Sequence, residues 1–517
     1  MLEYNIVLAG AAVQGVQTTA ELCARFCHRL GYHLFLTHDY QSRVRGGHNF
    51  MRLRLADRPL AAAVAGIDML LAFNRESLEL YLPALKEGGQ ALASASVTTG
   101  IRDSRVFSFP EDLLPEAKAE KFVGVKLLAR FAVGVGFEPE VLKRLVSEFF
   151  DESRSKEILA LNLEIIEVFS RLPKTGPVWL QPKAKQRAPV GALRLSGHAG
   201  LALGLVAGGL GLYAGYPMSP ATSVMNYLAA FGKESDLVVE QVEDEIAALN
   251  VACGAAFAGL RAVTGTSGGG ISLMTETVNL AGISETPVVI INAQRPGPAT
   301  GMATRTEQSD LLQAVFAGQG EFPRAVLAPT GPENAFYLAA EALNLAEVWQ
   351  LPVFVLTDQA LGDAQTLVPE YDLERVVIDR GQVASEPESS QLLARYRLTE
   401  SEISPCAYAG SSRWIVQQDS HEHTEIGRLS DDRENRVAQF DKRRRKGEGL
   451  AAVFPGPEIY GDDDGLLLLC WGSRFFATSI RLIALWSPGF WLRLSFWRRL
   501  LFCRKWQSFY PQPAAQS

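Results

Sequence analysis

The sequence predicts an α/β protein with two main α/β domains and an incomplete third α/β domain at the C-terminus. Three observations carry this. Short apolar runs alternate with helix-period stretches through residues 1–172 and again through 191–380. Between them PKTGPVWLQPKAKQRAPV (173–190), rich in proline and cations, reads as an extended linker. Far downstream, GLLLLCWGS (465–473) has the form of one more strand and glycine turn, after which strand, helix and turn signals stop agreeing. At 517 residues, 47% hydrophobic and 21% charged, the chain can fill several cores.

In the first segment, Tyr4–Ala9 predicts a strand, Gly10–Gly15 a glycine loop, Val16–Leu30 an amphipathic helix and Tyr32–Thr37 a second strand. Met69–Phe73 predicts a further strand and Glu76–Leu85 a helix, so a mainly parallel sheet is expected. MLEYNIVLAG lacks a basic leader region and reads as a first strand, not a signal peptide. In the second segment a Gly/Ala-rich helix (Gly200–Leu212) precedes a turn at Tyr216–Pro220, and helix Asn334–Val348 precedes strand Pro352–Leu356. Residues 381–464 read as a polar connector, whose cationic run Lys442–Lys446 is expected to be a solvated helix face.

Residues 465–517 read as the start of a truncated third domain with an aberrant tail. From 474 to 517 there is no Asp or Glu, but seven Arg/Lys and Trp486, Trp491, Trp497 and Trp506. The competing reading is a basic amphipathic membrane anchor. A net charge of −7 argues against nucleic acid as the main partner. No clean apolar run before the C-terminus is long enough to span a bilayer, and membrane association is not expected. Six cysteines, at 23, 27, 253, 406, 470 and 503, form no CxxC pair. Cys23 and Cys27 are one helical turn apart and read as a buried structural pair, in keeping with a reducing cytoplasm.

The chemistry is concentrated in Glu240–Gln308. EQVEDEIAALNVACGAAFAG places an acidic cluster at the head of a helix of tiny side chains. Thr266-Ser267-Gly268-Gly269-Gly270 then ends a strand and opens a helix, and VVIINAQ runs into the loop RPGPATGMATRTEQ. Glycine loops at successive strand ends beside a carboxylate suit a cofactor lying against backbone. A carboxylate such as Glu245 on an apolar surface can hold and share a proton. Glu243, Asp244 and Glu245 also suit a helix N-terminus through the dipole alone. HEH at 421–423 lacks the spacing of a helical metal motif.

Several of these segments together resemble the thiamine diphosphate-dependent 2-oxoacid:ferredoxin oxidoreductases. GYPMSPAT (Gly215–Thr222) resembles the Tyr-Pro-Ile-Thr-Pro signature of their α subunit, and Glu240–Ala247 its Gln-x-Glu-Asp-Glu-Ile-Ala segment. TGTSGGG resembles Thr-Ser-Gly-Pro-Gly, and QRPGPATGMATRTEQSD resembles Gln-Arg-x-Gly-Pro-Ser-Thr-Gly-x-Pro-Thr. The Gly10–Gly15 loop, DYQSRVRGGH (Asp39–His48) and MLLAFNRES resemble the family's γ subunit. The connector is similar too, so the resemblance spans residues 4–473 and describes a γ domain fused ahead of an α domain of thiamine pyrimidine-binding type.

The resemblance implies a role for each position. Glu245, with Glu243 as alternative, would hydrogen-bond N1′ of the cofactor's aminopyrimidine. Tyr216, Pro217, Thr266, Ser267 and Gly268 would line the cofactor. Ser219 would face the keto oxygen, while Arg305 and Thr304 would bind the substrate, with Arg305 on a carboxylate. Arg295 would brace the loop. Arg45, Gly46 and Gly47 would shape a CoA cleft, or simply a turn.

Thiamine diphosphate would be shared with a β subunit. Mg2+ and a [4Fe-4S] cluster would sit on the partner, because this chain has neither a GDG…Asn segment nor a cysteine cluster motif. CoA would be co-substrate, and electrons would pass one at a time to ferredoxin. His198, Ser219, Gly269, Ala299 and Met302-Ala303 depart from the family pattern. The fusion and the TRTEQSD loop point to 2-oxoglutarate over pyruvate. The competing expectations are a thiamine-dependent decarboxylase or carboligase component, and an inactive truncated subunit.

Overall fold

The computed structural model describes residues 3–40, 47–114, 122–150, 156–173, 191–233, 235–410, 412–456, 458–460, 466–474, 492–497 and 499–500. The predicted linker from 174 onward, most of the unusual tail, and Arg45 and Gly46 lie outside these residues. The chain forms two compact units: Met1–Leu195 with Asp363–Glu370, and Ser196–Gly362 with Tyr371–Ser517.

The first unit is built on β1 (Glu3–Ala11), β2 (His33–Tyr40), β3 (His48–Ala56), β4 (Ile67–Ala72), β5 (Leu85–Ser94), β6 (Val106–Phe109) and β7 (Leu193–Ser196). The sheet order is β6-β5-β4-β1-β3-β2, then the downstream strand Gln365–Val368, then β7. The expected parallel sheet is present only in the half β6-β5-β4-β1. From β1 onward the pairings β1–β3, β3–β2 and β2 with Gln365–Val368 are antiparallel. The reason lies in the connection: only residues 41–47 separate β2 from β3, too few for the crossover that parallel strands need.

Helices Val16–Arg29, Val123–Gly134, Pro139–Phe150 and Lys156–Ser170 enclose the larger core, where Phe26, Phe131 and Phe169 are fully buried. Cys23 and Cys27 are buried in the same core, and burial pushes the Cys27 thiol up. The predicted helix 76–85 is shorter, Arg75–Tyr81, with Asn74 capping the Ser77 amide at 2.9 Å. A 3-10 turn at Leu82–Ala84 containing Pro83 then breaks it, and β5 begins at Leu85.

In the second unit, β8 (Leu212–Gly215), β9 (Val238–Gln241), β10 (Ala262–Thr266), β11 (Val288–Gln294), β12 (Ala325–Leu327) and β13 (Pro352–Asp358) form a sheet ordered β12-β13-β11-β10-β8-β9. Every pairing among these six is parallel. All seven residues of β11 are buried, as a strand covered on both faces requires. The Gly/Ala-rich helix is Gly197–Ala207, and it packs on helix Pro332–Trp349. Its glycines face that partner so closely that a β-carbon at Gly200 or Gly204 would strike the carbonyl of Pro332 or Phe336. Downstream, strand Leu466–Trp471 runs parallel to 492–497 in a small three-stranded sheet.

The connector contains a long helix, Arg433–Val453, and its cationic run is not a solvated face. Lys442 and Lys446 are buried, each 2.6 Å from a different carboxylate oxygen of the buried Glu285. Arg443 is buried as well, with Nη1 and Nη2 donating to the two Glu422 oxygens at 3.0 and 2.8 Å. Arg444 and Arg445 alone keep to the surface. Burial would push the Glu285 carboxyl up; the charges of Lys442, Lys446 and Arg395 outweigh it and hold the group well below the usual range.

Candidate functional site

The C-terminal ends of parallel strands, where an α/β sheet opens its ligand crevices, converge on one region of the second unit. β8 runs out into residues 216–219, β9 into 242–244, β10 into Ser267 and β11 into Arg295. Asp244 accepts a hydrogen bond from the Ala247 amide at 2.8 Å and so starts the helix Glu245–Phe257. Glu245 thereby occupies the first helical position, where the dipole favours a carboxylate. It is 3% exposed, whereas Glu243 is exposed. Oε1 of Glu245 has no hydrogen-bond partner among the described residues, although buried polar atoms are almost always paired.

The glycine turn after β10 lies directly against this carboxylate. A β-carbon at Gly270 would collide with Thr266 Oγ1 and come within 2.7 Å of Glu245 Cγ, so glycine alone lets the three meet. Thr266 and Ser267 are fully buried, and their hydroxyls donate to Met218 Sδ at 3.6 and 2.9 Å. The turn after β8 is thus pinned to the turn after β10. In it, Tyr216 is 41% exposed, Pro217 is half-buried and Ser219 is exposed.

Arg295 Nη1 donates to the Ser219 carbonyl at 2.6 Å, in the turn after β8. Burial lowers its pKa, and the Glu245 charge acts in the opposite direction, so the two side chains lie within electrostatic reach. Sequence reasoning did not place this guanidinium near the carboxylate. It also passed over Asp310, whose carboxylate abuts Gly268 and accepts from Asn292 Nδ2 at 3.2 Å. Burial holds the Asp310 carboxyl above its ordinary value. The available signal was its place at the end of TRTEQSD, just before helix Leu311–Phe316.

The loop after Arg295 is folded on itself. Met302 donates to the Pro296 carbonyl at 3.0 Å, and the Arg305 amide to the Met302 carbonyl at 3.1 Å. Arg305 Nη1 donates to the Thr304 carbonyl at 3.3 Å, and both residues are half-buried. The Ala299 carbonyl lies beside Gly269, where an added β-carbon would meet it at 3.6 Å. His198 stands behind these turns, fully buried, with Nδ1 and Nε2 on Ser223 and Thr357 at 2.6 and 3.0 Å. Of the proposed CoA cleft only Gly47 is described; it is exposed, with a φ of 103°. Among the described residues no group of His, Cys, Asp and Glu is placed to hold a metal ion.

A buried carboxylate with an unmet oxygen thus heads a small-residue helix at the mouth of a parallel sheet. Residues 204–441 match the family model described as the thiamine diphosphate-binding domain of pyruvate flavodoxin/ferredoxin oxidoreductase, and residues 5–168 the model for pyruvate ferredoxin/flavodoxin oxidoreductase. A 2-oxoacid:ferredoxin oxidoreductase subunit alpha from Sulfolobus sp is 31% identical over 90% of this chain and 82% of its own length. The 2-oxoglutarate oxidoreductase subunit KorA of Mycobacterium tuberculosis is 30% identical over 69% of this chain and 61% of its own. A solved 2-oxoglutarate:ferredoxin oxidoreductase from Magnetococcus marinus, with 2-oxoglutarate, coenzyme A and succinyl-CoA bound, superposes with a TM-score of 0.86 at 27% identity. That match covers 100% of this chain and 89% of the other.

The chain belongs to the 2-oxoacid:ferredoxin oxidoreductases and is of their alpha-subunit type, so it is an oxidoreductase component of a multi-subunit enzyme. The site fits thiamine diphosphate on its own terms. The orphaned Glu245 Oε1 calls for a donor from outside the described residues, and a protonated ring nitrogen of an aminopyrimidine is one. No helix among the described residues is long and apolar enough to cross a membrane.

Proposed function

We propose that this chain, with a β-type partner subunit in the cytoplasm, oxidatively decarboxylates a 2-oxoacid to its acyl-CoA and CO2 and passes two electrons to ferredoxin. We take 2-oxoglutarate as the substrate. The observation that carries the reading is Glu245, buried with one oxygen unpaired at the head of the small-residue helix. Bound thiamine diphosphate supplies the carbon nucleophile for the keto carbon and holds the electrons once CO2 leaves.

The chain supplies proton placement and orientation. Glu245 Oε1 shares a proton with N1′, which sets the tautomer of the aminopyrimidine. Thr266, Ser267 and Gly268, with Tyr216 and Pro217, form the polar and small-residue wall beside the ring. Ser219 Oγ is assigned to the keto oxygen, as a donor when negative charge develops there. Arg295, on the Ser219 carbonyl and within reach of Glu245, is assigned to the carboxylate next to the keto group. Arg305, with Thr304, is assigned to the second carboxylate that 2-oxoglutarate has and pyruvate lacks. The 2-oxoglutarate names of the M. tuberculosis and M. marinus relatives support that choice.

Mg2+ and the [4Fe-4S] cluster are assigned to the partner, and the stretch Arg45–Gly46–Gly47 of the first unit to CoA. The test is anaerobic: the complex with its partner is purified, loaded with thiamine diphosphate, and assayed for CoA-dependent dye reduction across a panel of 2-oxoacids. Reduction fastest with 2-oxoglutarate is expected, and Glu245→Gln should abolish it while leaving the subunits assembled. An assembled, loaded complex that reduces dye with no oxoacid would refute the proposal.

A further inference from the structure

The loop that carries Thr304 and Arg305 is fastened at its C-terminal foot by a residue from the far end of the chain. Gln308 Nε2 donates to Asp358 Oδ2 at 2.8 Å, and Ser473 Oγ donates to the same oxygen at 2.5 Å. Gln308 Nε2 also lies 3.3 Å from Ser473 Oγ, which closes a three-membered ring of hydrogen bonds. Asp358 is 1% exposed at the C-terminal end of β13, and its other oxygen accepts from the Leu361 amide at 2.9 Å, so it is a fixed post. One residue back along the loop from Glu307, Thr306 Oγ1 accepts from the Ala360 amide at 3.3 Å.

Ser473 reaches this ring because strand Leu466–Trp471 ends in a left-handed turn at buried Gly472, whose φ is 59°. Trp471 packs against the core of the second unit. A β-carbon at Gly472 would sit 3.0 Å from Gln308 Nε2, so the turn touches the loop as well as the post. Buried and half-buried hydrogen bonds to a carboxylate are the stronger kind, and a shared acceptor couples the groups that share it.

We infer that Ser473 and Gln308 are positioning residues for substrate binding: the Trp471-Gly472-Ser473 turn latches the foot of the loop and thereby sets where Thr304 and Arg305 stand. This rests on the assignment of that loop to the substrate. It makes the C-terminal sheet a determinant of oxoacid affinity although it contributes no group to the reacting atoms.

Two measurements on Ser473→Ala and Gln308→Ala test it, one of which needs no activity. In the complex with its partner, KM for the oxoacid should rise about three- to tenfold with kcat changed less than twofold, and Ser473→Thr, which keeps the hydroxyl, should restore the wild-type KM. In the full chain alone, trypsin cleavage after Arg305 should accelerate at least threefold in both alanine variants, with the thermal transition unmoved. Unchanged cleavage overturns the latch, whatever the enzyme turns over. Faster cleavage with an unchanged KM overturns its role in substrate positioning while leaving the proposed reaction standing. If no oxoacid is turned over, the reaction assignment fails and the cleavage result still decides the latch.

Discussion

Replacing Glu285 by Gln should cost the second unit most of its margin of stability. Among the described residues the carboxylate is the only anion bonded to Lys442 and Lys446, which are 0% and 1% exposed, and Gln offers one neutral oxygen in its place. Lys446 keeps the Gln350 carbonyl at 2.8 Å, so its loss is partial. The left-handed backbone at residue 285, with φ 50°, is equally awkward for Glu and Gln and cancels. Leaving a buried charge without its partner costs about 3–5 kcal/mol. With a urea dependence near 3 kcal/mol per molar, the midpoint should fall by about 1 M or more.

Tryptophan fluorescence reports mainly on the second unit, because seven of the eight tryptophans, Trp349 and Trp414 among them, fall in it and Trp179 alone falls in the first. Replacing Glu285, Lys442 and Lys446 together by Met should recover most of the loss, since the cost lies in the unpaired charges. Arg444→Ala, on the exposed face of the same helix, should leave the transition in place. The wild type should also lose stability as acid protonates Glu285. A carboxylate depressed by folding contributes fully above its ordinary value of 4.5 and loses that contribution as pH falls further. A midpoint shift under about 0.3 M for Glu285→Gln would refute the reasoning, because it would mean that the two lysines are not desolvated.

Other expectations follow from the same contacts. His198 is buried and pushed down to about 4 by desolvation, so the unfolded chain binds a proton there between pH 6.5 and 4 that the folded chain refuses. The wild type should therefore lose about 3 kcal/mol over that window, and His198→Asn should flatten it in pH-dependent melts. Gly270→Ala should lower turnover at least tenfold in a folded, assembled complex by displacing Glu245 or Thr266; normal kinetics would show that the turn relaxes without moving the carboxylate. Arg305→Ala should raise KM for 2-oxoglutarate more than it lowers kcat and should leave any residual pyruvate activity unchanged. Arg295→Ala should depress activity with both; equal effects of the two variants on both substrates would refute the separate assignment of the two carboxylates.

What was legible in the sequence was local. The turns after β8 and β10 and the head of helix Glu245–Phe257 could be read because glycine, proline and capping residues act on their immediate neighbours. What could not be read depends on partners far along the chain. The fate of Lys442 and Lys446 is decided by Glu285, 157 and 161 residues earlier, so charge density alone gave the wrong face. The antiparallel half of the first sheet follows from the short β2–β3 connection, a matter of loop length that strand and helix patterning does not report. The sequence separated Arg295 from Arg305 as brace and substrate ligand, but it could not report the bond of Arg295 to the Ser219 carbonyl or its proximity to Glu245.

Strand Gln365–Val368 completes the first unit after the chain has already passed through most of the second. It pairs with β2, and Thr366 Oγ1 donates to the carbonyls of Leu34 and Leu60 at 3.2 and 2.8 Å. The polypeptide is therefore stitched, not strung. A gene divided within 173–190 would not yield two finished modules, because the upstream product would lack the strand that covers β2. Its bare edge would offer unpaired amides and carbonyls to any neighbouring copy. Separating the two halves would require moving residues 191–195 as well as 363–370 across the cut.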